Sequence, residues 1–134
     1  MSPISPNGAP DRDAALHDVV ARALRAVEAD AATWVENHRA PMPSDPLAYD
    51  RELVRRLQRL LATNAALAFH LHLVRRLSLE VPAERPVADA LFGTVSELRE
   101  WCAYAIPAVE ELQARLRTQL DALMAAHDWN GPGE

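Results

Sequence analysis

The chain has 134 residues, 49% of them hydrophobic and 25% charged, with a formal net charge of −5 at pH 7. That length fits one domain with a real core, and the balance excludes wholesale disorder. The acidic excess is dispersed, so no whole-chain footprint for nucleic acid exists, and no apolar run approaches the ~18 residues that span a bilayer.

All 14 basic residues are arginine. Helix propensity does not demand this, so it points to GC-rich coding and a bacterial source such as an actinobacterium. Cys102 is the sole cysteine, which excludes an internal disulfide and suggests a reducing compartment. The opening MSPISPNGAPDRD lacks the charged and apolar regions of a signal peptide, so a cytoplasmic protein is expected.

Residues 1–9, rich in Pro, Gly, Ser and Asn, read as a flexible N-terminal tail, followed by a single helical-bundle domain over 10–130 and a C-terminal tail over 131–134. The first helix is predicted from about Asp11 to Arg39. Asp11 and Asp13 suit its positive end, and Leu16, Val20, Ala23, Val27, Ala31, Trp34 and His38 form its inner stripe. Ala40-Pro41-Met42-Pro43 cannot continue it.

Asp45 as cap and Pro46 at the first helical position open the second helix, which runs to about Leu77. Leu53, Leu57, Leu60, Asn64, Leu67, Leu71 and Val74 form its seam in heptad-like steps. The third helix is predicted to begin at Pro86 and to carry Leu91, Val95, Leu98, Cys102, Ala105, Val109, Leu112, Leu116 and Leu123 on one stripe. Pro107 interrupts the helix without shifting its apolar phase, so a kinked continuous helix is expected rather than two. Asn130-Gly131-Pro132 ends it.

The fold class expected is all-α, an antiparallel bundle of three long helices, the third kinked at Pro107 and overhanging the others unless it bends there. In that arrangement Arg55 and Arg56 lie level with Glu110 and Glu111, and Arg75 and Arg76 with Asp89.

The segment Asn64–Val74, NAALAFHLHLV, is apolar almost all round, and a helix of that kind must be covered all round. Besides the seam, the second helix carries another stripe of Ala62, Ala66, Phe69, Leu73 and Leu77, the expected interface of a homodimer or of a protein partner. Asn64, a polar residue on the seam, is expected to set register.

His70 and His72 are two apart and point in opposite directions, so they cannot chelate one metal together. The expected antiparallel pairing puts His17 level with His70. This pair, with Asp13 or Asp18, offers an alternative metal or haem site beside Trp101, although no His-x-x-x-His or Glu-x-x-His spacing supports it. Cys102 falls on a seam and reads as core.

No phosphate loop, nucleophile elbow, Cys-x-x-Cys or paired-carboxylate motif is present. The expectation is a non-enzymatic helical interaction module, self-associating and accessory to another protein, with no cofactor, nucleic acid or membrane involved. The alternative is a small-molecule or cofactor binder with an apolar cavity near Phe69, His70 and Trp101. An enzyme gathering arginines around an anion lacks a positioned acid–base pair.

Overall fold

A computed structural model describes residues 9–87 and 92–127, with side-chain surroundings from residue 14 onward. Three helices follow one another: α1 (Ala9–Arg39), α2 (Pro46–Ser78) and α3 (Val95–His127). No strand occurs among the described residues, and one isolated bridge joins Pro86 and Thr94. The chain is therefore an all-α three-helix bundle. The proposed tails other than Ala9, which begins α1, lie outside the described residues, as do the side chains of Asp11 and Asp13, Asp89, Leu91 and the Asn130-Gly131-Pro132 stop.

The start of α2 follows its local chemistry. Asp45 is extended (φ −68°, ψ 128°), and its carboxylate accepts from the Ala48 N–H at 3.0 Å, while Pro46 occupies the first turn, where no donor is needed. At its far end the Leu79 N–H reaches back to the carbonyls of Arg75 and Arg76. α3 runs unbroken through Pro107, so the bundle has three helices and not four. Pro107 removes one backbone donor and so leaves the Ala103 carbonyl without its helical partner; both residues are exposed, so water can serve that carbonyl.

α3 begins at Val95, not at Pro86. Thr94 accepts from the Glu97 N–H at 3.4 Å, and the Glu97 carboxylate accepts from the Gly93 N–H at 2.8 Å. This close relative of a capping box sets the start, and Thr-x-x-Glu ahead of an apolar run was its sequence signal. The connection before it is tied to itself: the Val87 N–H donates to Gly93 O, the Val95 N–H to Arg85 O and the Ser96 N–H to Ala83 O. Val81, Val87 and Phe92 from this connection are buried against the helices. With α2 and α3 both 33 residues long, the expected overhang of the third helix does not arise.

α2 is the central helix and packs along both neighbours, whereas no Cα of α1 comes within 8 Å of one in α3 among the described residues. Side chains bridge that gap at one end. There, Val20, Leu24 and Val27 of α1 meet Leu71 and Val74 of α2 and Leu98, Cys102 and Ile106 of α3. A second core cluster, built on Leu57, Leu60, Leu61, Leu116 and Leu120, joins α2 to α3 at the other end, with Trp34 of α1 packed against it. Each such aliphatic side chain fully removed from water contributes ~1.5–3 kcal/mol. The inner stripe of α1 leaves the core early. Ala31 and His38 are exposed and Trp34 is half-buried, because α3 does not close over that part of α1.

Candidate functional site

Arginine and histidine hold the helices to each other. Arg56, on the buried side of α2, donates to the carbonyls of His38, Ala40 and Pro41 at the end of α1. Arg99 of α3 does the same for α2, donating to Ser78 O from Nε at 3.0 Å and Nη2 at 2.6 Å, and to Val81 O at 2.5 Å. A helix C-terminus presents unpaired carbonyls and partial negative charge, which a planar guanidinium fork can serve several at once.

His70 donates from Nδ1 to Asp30 Oδ2 on α1 at 2.6 Å, and His72 from Nε2 to Glu110 Oε2 on α3 at 3.0 Å. Opposite projection along α2 thus gives each ring a carboxylate on a different neighbour. His17 donates from Nε2 to Pro86 O at 2.9 Å, His127 pairs with Asp50 at 3.0 Å, and His38 stacks on Trp34 with ring centroids 5.0 Å apart.

The structure therefore separates His17 from His70. The α1 residue beside His70 is Asp30, about 20 Å further along α1 than His17. The 40–45 linker, with Pro41 and Pro43, carries the start of α2 beyond the end of α1, so that Arg56 stands at the α1 terminus, and this slides the pairing. The pairing of Arg55 and Arg56 with Glu110 and Glu111 is displaced in the same manner, because α3 begins at Val95 and not at Pro86. Glu110 meets His72, Glu111 meets Arg115, and Arg55 and Arg59 flank Glu52. Arg59, hydrogen-bonded to Glu52 at 2.8 Å, is the main cause of a Glu52 carboxyl held below its usual range, with Arg55 and Arg56 adding to it. The partner expected for Arg75 and Arg76, Asp89, lies outside the described residues. No group of three or more His, Cys, Asp or Glu able to hold a metal ion occurs among the described residues.

Asn64 is fully buried and donates from Nδ2 to Val109 O at 3.0 Å and to Gln113 Oε1 at 2.9 Å. The backbone acceptor fixes the amide orientation, since a flipped amide would set two oxygens against each other. These bonds tie α2 to one level of α3, and Oδ1 stays buried without a partner. Cys102 is fully buried on the seam, and burial pushes its thiol up to about 11 despite the pull of Arg75.

The second stripe of α2 divides. Leu73 and Leu77 pack against the core and Ala66 is half-buried, while Ala62 is exposed and Phe69 is 64% exposed, with an edge-on contact to the His70 ring. Phe69 and Leu71, two residues apart, project to opposite sides of α2.

On the Leu71 side, the separation of α1 from α3 leaves an apolar trough whose floor is α2. At one end Leu24, Val27, Glu28, Phe92 and Trp101 enclose a cavity of about 250 Å³. The middle, of about 180 Å³, is uncharged and lined by Ala31, Trp34, Val35, Leu67, Val109 and Leu112. The other end, of about 350 Å³, adds His38, Arg56 and Arg115 around Leu53, Leu57 and Leu60, and continues to Leu123 and Ala126. Adjoining sections share Leu67, Trp34 and Leu57 as lining residues, and the row extends about 37 Å from Trp101 to Ala126 at 1.5 Å per residue. Of the residues expected to form a ligand cavity, Trp101 lines this trough, packed against Phe92 at 5.3 Å between ring centroids, while Phe69, His70 and His17 do not. Nothing in the pattern of any single helix marks the trough, because its leucines and valines read as ordinary core and its charged residues as ordinary surface.

No described helix is long and apolar enough to cross a membrane. No family model, curated protein or solved structure matches this chain.

Proposed function

We propose that this chain is a non-enzymatic interaction module, self-associating and accessory or regulatory to another protein, and that it docks through the trough between α1 and α3. The apolar stretch of the trough from Trp101 to Leu112 carries this reading: an exposed apolar surface about three helical turns long is a groove for an amphipathic helix. The histidine bonds support it from the other side, since those rings are engaged in joining helices and the connection. The outer face of α2 is the weaker surface, because Leu73 and Leu77 are already engaged with the core.

The cavity beside Phe92 and Trp101 favours a second reading, a small apolar ligand held at one end of the same trough. Placing a photo-crosslinking side chain at Val35, in the trough, and separately at Phe69, on the outer face, distinguishes these surfaces in cells. Adducts to a second protein from Val35 and none from Phe69 are expected. Adducts from Phe69 alone, or from neither position, overturn docking through the trough.

A further inference from the structure

We infer that the cavity at the Trp101 end of the trough binds an uncharged, compact hydrocarbon body the size of two fused six-membered rings, a step that rests on the small-ligand reading of that cavity. Every element contributes to its walls: Leu24 and Val27 from α1, Leu71 from α2, Phe92 from the connection, and Trp101 and Val109 from α3. Leu24, Val27 and Leu71 are buried in the core cluster that joins all three helices, and Phe92 packs on Trp101, so the walls stand before any ligand arrives.

Size and charge fix the class. An apolar cavity of about 150 Å³ stays dry and takes up benzene, so one of about 250 Å³ accommodates roughly ten carbon atoms. Apart from Glu28 and the Trp101 indole, every lining side chain is a hydrocarbon. Water gains no hydrogen bonds from such walls, and an empty cavity leaves them without dispersion contacts that a hydrocarbon supplies. No arginine or histidine lines this cavity or the middle section beside it, so an anionic head has no counter-charge there. Glu28 is exposed and already engaged within the chain, so nothing calls for a cationic head either. Fatty acids and aryl carboxylates are therefore disfavoured, and a neutral body is selected.

Naphthalene is the neutral probe for titration of the full chain, with 1-naphthoate and 1-naphthylmethylammonium as charged analogues of the same ring. With naphthalene, the methyl resonances of Leu24, Val27 and Leu71 should shift saturably, while those of Leu120 at the far end stay in place. Both charged analogues should bind more weakly by roughly ten-fold or more. Ala31→Trp and Ala105→Phe add a ring from opposite walls, at an exposed and a half-buried position. Circular dichroism should show both variants folded, and each should abolish the methyl shifts. A charged analogue that binds as tightly as naphthalene overturns the uncharged class and retains the small-ligand reading. No saturable shift with any probe, or shifts that persist in both variants, overturns that reading as well. Absence of probe binding, together with Val35 adducts that Ala105→Phe abolishes, assigns the cavity to a side chain of a docked protein instead.

Discussion

At the scale of single residues, polar groups in this bundle lie where two elements meet. His70 and His72 exploit a projection difference of about 160–200° to reach carboxylates on different helices. Asn64 uses its amide to hold α2 and α3 at one level, at the cost of a buried, unpartnered oxygen. Cys102 is an apolar residue in effect, and its thiol has a measurable consequence. A native thiol at about 11 keeps its proton while the unfolded chain loses it from about 9, so the native state holds more protons between those values. Stability is therefore unaffected below pH 9 and should fall as pH rises toward 11, by roughly 2–3 kcal/mol in total. Urea unfolding across that window should show the decline in the wild type and a shallower one in Cys102→Val, with tyrosine ionisation common to both; equal slopes would mean that the thiol is not responsible. The seam position of Cys102 was legible in the sequence. The carboxylate partners of the histidines were not, because a partner on another helix depends on register.

At the scale of elements, the ends of the helices matter as much as their stripes. The start of α2 was readable from Asp45-Pro46 because capping acts within one turn. The Thr94–Glu97 start of α3 is equally local, whereas Pro86, which suits a first helical turn, sits in a self-bonded connection. The helix C-termini are closed by long-range contacts, Arg56 on α1 and Arg99 on α2. Substituting either arginine by lysine should destabilise the fold by about 1.5–3 kcal/mol, since a point charge on a flexible stem cannot serve several carbonyls together. Chemical denaturation of Arg56→Lys and Arg99→Lys, with Arg117→Lys as a control on the outside of α3, measures this. Losses no larger than that of the control would show that charge alone suffices.

At the scale of the whole molecule, the last part of α1, from Ala31 onward, rests on α2, with Trp34 packed on the second core cluster and no Cα of α3 within 8 Å among the described residues. Backbone hydrogen exchange should therefore be slowest around Leu71 and Val74, which are covered by both neighbours, and fastest among the interior helical amides of α1 beyond Ala31. If the chain self-associates through the trough, as proposed, that stretch should become protected as concentration rises. Protection independent of concentration would show that the open side of α1 is not the surface that assembles.

The periodicity of apolar residues by itself determined three helices, the stripes that α2 and α3 bury, and the burial of Asn64 and Cys102. Each of these follows from side-chain spacing along one helix, and removing apolar area from water has no directional requirement. Tertiary structure alone decided which residues stand level across the seams, where the arginine clamps close, and that α1 and α3 stay apart. A stripe records which side of a helix is buried but not how far its neighbour slides or how completely it covers. Those quantities come from the 40–45 linker and the bonded connection before Val95, together with the contacts that Asp30, His70, Asn64 and Val109 complete only in the folded chain.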